Sequence, residues 1–192
     1  MLVFVLYLVI SAGLKGTVVL PPFVPDEVAK VCEKSGVEIK FVQSSSRISE
    51  IEAGKHDVIF AGTGEGHLIF PELHSVSDPM FAFGRILEIV SSSKIDIVEL
   101  SRSIPPFEIY QERIPCSFEK KGTVMREIAE SIKGENASFV DGIKIFKDSG
   151  WILIRPEEYH PSISVYAQFK DKEELEKVLK TYKRIIEKAK EQ

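Results

Sequence analysis

The stretch "DGIKIFKDSGWILIRPEEYHPSISVYAQF", residues 141–169, constrains the fold most. Two alternating apolar runs meet across Asp148-Ser149-Gly150. A third follows a polar loop that opens on Arg155-Pro156 and is bounded by Pro161. Side chains of a strand alternate between faces, and a short turn containing glycine joins neighbouring strands antiparallel. This part of the chain is therefore committed to an antiparallel sheet, with Trp151 expected in the hairpin core and Asp141-Gly142 in the turn that enters the first strand. Residues 120–133, "KKGTVMREIAESIK", place Val124, Ile128 and Ile132 in line on one helical face. The closing stretch "KDKEELEKVLKTYKRIIEKAKEQ" reads as a long helix laced with i,i+4 Lys–Glu pairs. The expectation is a small α+β domain, with helices on one face of an antiparallel sheet.

The first part of the chain follows a different rhythm. Val18 to Leu20 is a short strand stopped by "PPFVP". A helix is expected from Asp26 as N-cap to Gly36 as C-cap residue, with Val28, Val31 and Cys32 on one face. "VEIKFV" is a half-buried strand. Ser46 is expected to cap a short helix that carries Ile48 and Ile51 and closes at Gly54. "DVIFA" is a buried strand, "GTGEG" a turn into the strand "HLIF", and Asp78-Pro79 the start of the helix "MFAFGRILEIVSSS". Strands alternating with helices from 17 to 92 indicate an α/β layer structure. The composition changes at "SIPPFEIYQERIPC", read as a linker into a new strand. The division expected is residues 1–104 and 105–192.

The opening run "MLVFVLYLVI" is too short for a membrane span, which needs about 20 apolar residues. No positive charge precedes it, as a signal peptide would require. It reads as a buried helix or strand, with periodicity leaving the choice open. Left exposed, residues 1–12 would form a docking surface for another chain.

A net charge of −4 over 192 residues argues against nucleic-acid binding, which needs a basic face. Cys32 and Cys116 lie far apart without a CxxC or Cys/His pattern, as expected of reduced residues in a cytoplasmic protein. No membrane association is expected. The Lys-, Glu- and Ile-rich C-terminus hints at a thermophilic source. His56, His74 and His160 are dispersed and lack metal-ligand spacing. Ser44, Ser45 and Ser46 read as loop and cap residues, and Arg47 as a surface residue.

Three stretches in this order, "FAGTGEGHLIFPELHSVSDPM", "VDGIKIFKDSGWILIRP" and the terminal helix after "VYAQFKDKEE", resemble the C-terminal half of the α-D-phosphohexomutases. That family comprises phosphomannomutases, phosphoglucomutases and phosphoglucosamine mutases, and the resemblance runs from about residue 1 to 190. It implies a three-layer-type α/β sugar-binding domain, like the family's third, followed by an α+β domain like its fourth. The family's phosphorylated serine and Asp-Gly-Asp-x-Asp-Arg metal loop belong to two earlier domains, and neither stretch is present in this sequence. The resemblance thus implies no catalytic residue and no cofactor in this chain. Mg²⁺ would be bound by a partner carrying the missing domains.

The family's sugar loop, Gly-Gly-Glu-x-Ser/Asn-Gly-His/Gly, falls on Gly62 to His67. Here the Glu position holds Thr63 and the Ser/Asn position holds Glu65, so a hydroxyl and a carboxylate are both present in exchanged places. Thr63, Glu65 and His67 are the sugar-binding candidates the resemblance implies. The alternative is that the glycines serve a tight structural turn. "GTGEG" is weak as a dinucleotide signature, because a strand follows it.

In the phosphate loop the family reads Arg-Pro-Ser-Gly-Thr-Glu-Pro. Arg155, Pro156 and Pro161 agree with it, while Glu157, Glu158 and Tyr159 replace Ser, Gly and Thr, and Ser164 stands in for a second arginine. A phosphate dianion needs donors, whereas ionised carboxylates only accept. Two like charges about 4 Å apart repel by on the order of 4 kcal/mol at an effective dielectric near 20. Arg155 is a phosphate candidate by position. By chemistry, the loop is expected to be solvated, with Arg155 paired to Glu157 or Glu158.

Two functions follow as expectations. One is the sugar-recognising half of a split hexose-phosphate mutase, with hexose phosphate as ligand and a separate catalytic polypeptide as partner. The other is a non-catalytic regulatory or assembly module that has lost phosphate binding, a homo-oligomer through residues 1–12. Met1 is set mildly against a third reading, a piece excised from a complete enzyme.

Overall fold

The computed structural model describes residues 1–55 and 57–191. These form two compact units, Met1–Phe107 and Glu108–Gln192.

The opening apolar run is a helix, α1 (Leu2–Ser11), with Val5 to Val9 buried in the first unit's core. After it come β1 (Thr17–Leu20), α2 (Asp26–Ser35), β2 (Glu38–Phe41), α3 (Ser46–Ala53), β3 (Val58–Gly62), β4 (Leu68–Ile69), α4 (Pro79–Ser92) and α5 (Ile97–Ser103). The sheet runs β2-β1-β3-β4. β1 is parallel to both β2 and β3, and β4 is antiparallel to β3. One core joins α1, α2, α4 and α5 to Val18, Leu20 and Phe60, whereas α3 covers Val19, Ala61 and Ile69. Those two sets of strand residues alternate, so the sheet lies between two helical layers.

Local chemistry fixes the ends. Gly36, at φ 67°, closes α2 in the left-handed conformation. Asp78 Oδ1 accepts from Met80 N and Phe81 N at 2.9 Å each, capping α4 with Pro79 in its first turn. Two expected caps shift by one residue. Pro25, not Asp26, precedes α2; Ser45, not Ser46, precedes α3 and makes no side-chain cap bond. The short α5 goes beyond the sequence reading.

The second unit is β5 (Tyr110–Pro115), α6 (Phe118–Ser131), β6 (Ala137–Ser138), β7 (Ile143–Lys147), β8 (Gly150–Pro156), β9 (Ser162–Phe169) and α7 (Lys172–Glu191). Its sheet is antiparallel throughout, in the order β5-β9-β8-β7-β6. Ile143, Ile145, Ile152, Ile154, Ile163 and Val165 pack with Val124 and Ile128 of α6 and Val178, Leu179, Tyr182 and Ile186 of α7. The alternate residues Trp151, Leu153, Arg155, Ser164 and Tyr166 occupy the other face and are buried as well. The fold is thus α/β followed by α+β, as the sequence leads one to expect.

Candidate functional site

The glycine-rich loop links β3 to β4. Thr63 is buried, and its Oγ1 accepts from Glu65 N at 3.3 Å and His67 N at 3.4 Å, while Thr63 N donates to His67 O at 3.0 Å. The hydroxyl oxygen is engaged in closing the turn. His67 Nδ1 lies 3.2 Å from Ser77 Oγ, and Ser77 N donates to Glu50 Oε1 at 3.2 Å. Glu65 sits at the exposed tip.

The glycines have a packing reason. A Cβ on Gly62 would meet Leu2 Cδ1, and one on Gly64 would enter the Phe23 ring. Gly66 takes a φ of 96°, which L side chains rarely adopt, and a Cβ there would touch Met1 Cε at 3.4 Å. The loop is seated on apolar side chains of its own unit.

Arg155 lies in the second unit, at the end of β8. It is buried (side chain 8% exposed), not solvated as the sequence suggests. Its Nη1 donates to Asp141 Oδ2 at 3.0 Å and its Nη2 to Glu157 Oε2 at 3.3 Å; both carboxylates are equally buried. Ser164 Oγ donates to Glu157 Oε1. The expected partner Glu157 is confirmed, Glu158 is exposed, and Asp141 is an addition. Asp141 does more than turn the chain. The β7–β8 register pairs Ile143 with Ile154, so one step further Gly142 stands against Arg155 and brings Asp141 beside the guanidinium. Gly142 has a φ of 81°, and a Cβ there would strike Ile154 O and Arg155 Cα.

Lys121 holds the same loop from α6. Its buried Nζ donates to the backbone oxygens of Glu157 and, at 2.6 Å, of His160, and lies 4.0 Å above the Phe118 ring. Glu157 N donates to Ser162 O at 3.1 Å and Cys116 N to Pro161 O at 2.8 Å, so the loop is tied down on both sides. Beside it, burial pushes the Tyr166 phenol above its ordinary pKa. The outer nitrogens of Arg155, those a bidentate oxyanion would take, already hold carboxylates. Nε is buried with no hydrogen-bond partner.

Thr63, Glu65 and His67 therefore share one turn of the first unit, and Arg155 belongs to the second. Among the described residues, no three His, Cys, Asp or Glu side chains gather to hold a metal ion. His74 Nε2 lies 3.4 Å from Asp78 Oδ2; His56 lies outside the described residues. Among the described residues, no helix is long and apolar enough to cross a membrane.

No family model matches the chain. It is similar, however, to the probable phosphoglucosamine mutase of Pyrococcus horikoshii: 31% identical over 139 residues, 70% of this chain and 31% of that protein. The phosphoglucosamine mutase of Methanococcus aeolicus is 32% identical over 140 residues, 69% of this chain and 31% of that protein. A solved phosphoglucomutase/phosphomannomutase family protein from Burkholderia thailandensis shares the fold, with a TM-score of 0.79 over 98% of this chain and 41% of that one, at 15% identity. The chain is homologous to the C-terminal part of the α-D-phosphohexomutases. It spans about a third of the length of the curated relatives it matches. Asp141, Lys121 and Glu157 hold the second unit's loop together. Sequence reasoning gives Glu157 as a partner of Arg155, reads Asp141 only as a turn residue, and misses Lys121.

Proposed function

We propose that this chain is a non-catalytic relative of the phosphohexomutases, its two units corresponding to the family's third and fourth domains, with a phosphate loop filled from within. One observation carries this reading: the Arg155 guanidinium is held by Asp141 and Glu157, and Glu157 is held in turn by Ser164. A phosphate would have to displace a buried carboxylate and lie against another, at a cost greater than one arginine returns. An assembly role fits such a chain. Association through residues 1–12 does not, because Val5 to Val9 are buried in the unit's own core.

The exposed Glu65 favours a second reading. Its carboxylate, with His67, would hold sugar hydroxyls for a mutase completed by another polypeptide that supplies the phosphoserine and Mg²⁺. Calorimetric titration with glucose 1-phosphate, mannose 1-phosphate and glucosamine 6-phosphate separates the two readings. The first expects no saturable heat up to millimolar ligand, and a gain of inorganic phosphate binding in Glu157→Ser. Saturable binding by the native chain, lost in the surface variant Glu65→Ala, would overturn it in favour of the second.

A further inference from the structure

β2 is the outer strand of the first sheet and, among the described residues, pairs with β1 alone. Glu38 N donates to Gly16 O and Val42 N to Leu20 O, each at 3.0 Å. Backbone groups of successive strand residues point to opposite sides. The Ile39 N–H and C=O therefore point away from β1, to an edge beyond which no further strand lies among the described residues. Such an edge is a template for another chain, and proteins blunt it with proline, bulges, very short strands or charged side chains. Here β2 reads Glu-Ile-Lys-Phe, without proline or bulge, and its two charges are of opposite sign around Ile39.

We propose that the chain associates with a second copy of itself through β2, antiparallel about a twofold axis at Ile39. Each Ile39 then exchanges both backbone hydrogen bonds with the other, the widely spaced type of antiparallel pair. The neighbouring positions form the closely spaced type, and there Glu38 stands directly opposite Lys40 of the second copy, twice. Opposite charges at directly facing positions stabilise a sheet and like charges destabilise it. The segment is thus charge-complementary to itself in this register, and the pairing is isologous, as a twofold dimer requires. Lys40 already holds Glu52 of α3 at 2.5 Å, yet it remains 46% exposed, and an ammonium has three donors. The product is a continuous eight-stranded sheet from two four-stranded ones. This inference stands independently of whether either loop takes a ligand.

The test is the solution mass of the full chain by light scattering. The native chain is expected at twice its 21.6 kDa. Glu38→Lys, which sets a second lysine against Lys40 at both facing positions, is expected to be a folded monomer. Lys40→Glu is expected to be a monomer for the opposite reason. Mixed, the two variants face each other with opposite charges at both positions, and the dimer returns. A monomeric native chain overturns the proposal, including one whose edge accepts only an unrelated extended peptide. So does a dimer that survives Glu38→Lys, or a mixture that stays monomeric. If Lys40→Glu is not folded by circular dichroism, high salt applied to Glu38→Lys takes its place: screening must restore the dimer, and failure to do so counts against the pairing.

Discussion

Exchanging Glu157 for glutamine and Arg155 for methionine should have very unequal effects, although each removes one charge from the same buried cluster. At the observed 3.3 Å, the Arg155–Glu157 attraction is on the order of 5 kcal/mol gross at an effective dielectric near 20, most of it offset by the cost of burying both ions. Glu157→Gln removes the attraction and the carboxylate's burial cost together. Its amide oxygen still accepts from Ser164, its NH2 group cannot accept from Arg155 Nη2, and Arg155 keeps Asp141 at 3.0 Å. The net loss expected is about 1–2 kcal/mol, the cost of one lost hydrogen bond and a buried Nη2 donor left without its acceptor. Arg155→Met instead takes the guanidinium from two buried carboxylates at once, at about 3–5 kcal/mol. A unit of this size has only about 5–10 kcal/mol in hand. Trp151 is the sole tryptophan, is buried, and lies in the same strand as Arg155, so its fluorescence in urea reports on the second unit alone. Equal losses in the two variants, or an Arg155→Met within about 1 kcal/mol of native, would falsify the view of Arg155 as the shared partner of both carboxylates.

Two further outcomes follow from the first unit. Gly64→Ala should cost about 1–3 kcal/mol by overpacking against the Phe23 ring, and Phe23→Leu in the same chain should recover part of it. Urea melts followed by circular dichroism give the coupling, and strict additivity would mean the contact is not the cause. Burial pushes the Cys32 thiol up from 9.0 to about 11, so the folded state binds its proton more tightly than the unfolded chain. That contribution is fully present below pH 9 and lost as pH rises toward about 11. The native chain should therefore lose more stability over that window than Cys32→Ala, and parallel pH profiles would rule the thiol out.

The strands and helices that follow from strong local patterns are legible in the sequence: the 141–169 hairpin, the Asp78-Pro79 helix start and the Gly36 stop. α5 escapes that reading, though Asp96 caps it by accepting from Val98 N at 2.8 Å and Glu99 N at 3.1 Å, an Asp-x-x-Glu signal of the capping-box kind. β6 has two residues and leaves no periodicity to read. At the arginine loop, the replacement of donors by carboxylates is visible, but their burial is not. Composition makes Pro-Glu-Glu-Tyr-His look like a solvated loop, and nothing local shows Lys121 of α6 holding its carbonyls. Asp141 is within reach, since extending the hairpin register by one step puts it beside Arg155.

The order β5-β9-β8-β7-β6 also bears on how the chain is made. β7, β8 and β9 are consecutive and can zip up as they leave the ribosome, whereas β5, the first strand of the unit, pairs among the described residues only with β9. Until β9 has emerged, Tyr110–Pro115 has no strand partner among the described residues, and loop closure across α6 and three hairpin turns must precede any gain from that pairing. The second unit is thus expected to mature only after β9 has emerged, with β5 as its slow step. A stop codon placed before β9 would strand β5 and leave an aggregation-prone nascent chain.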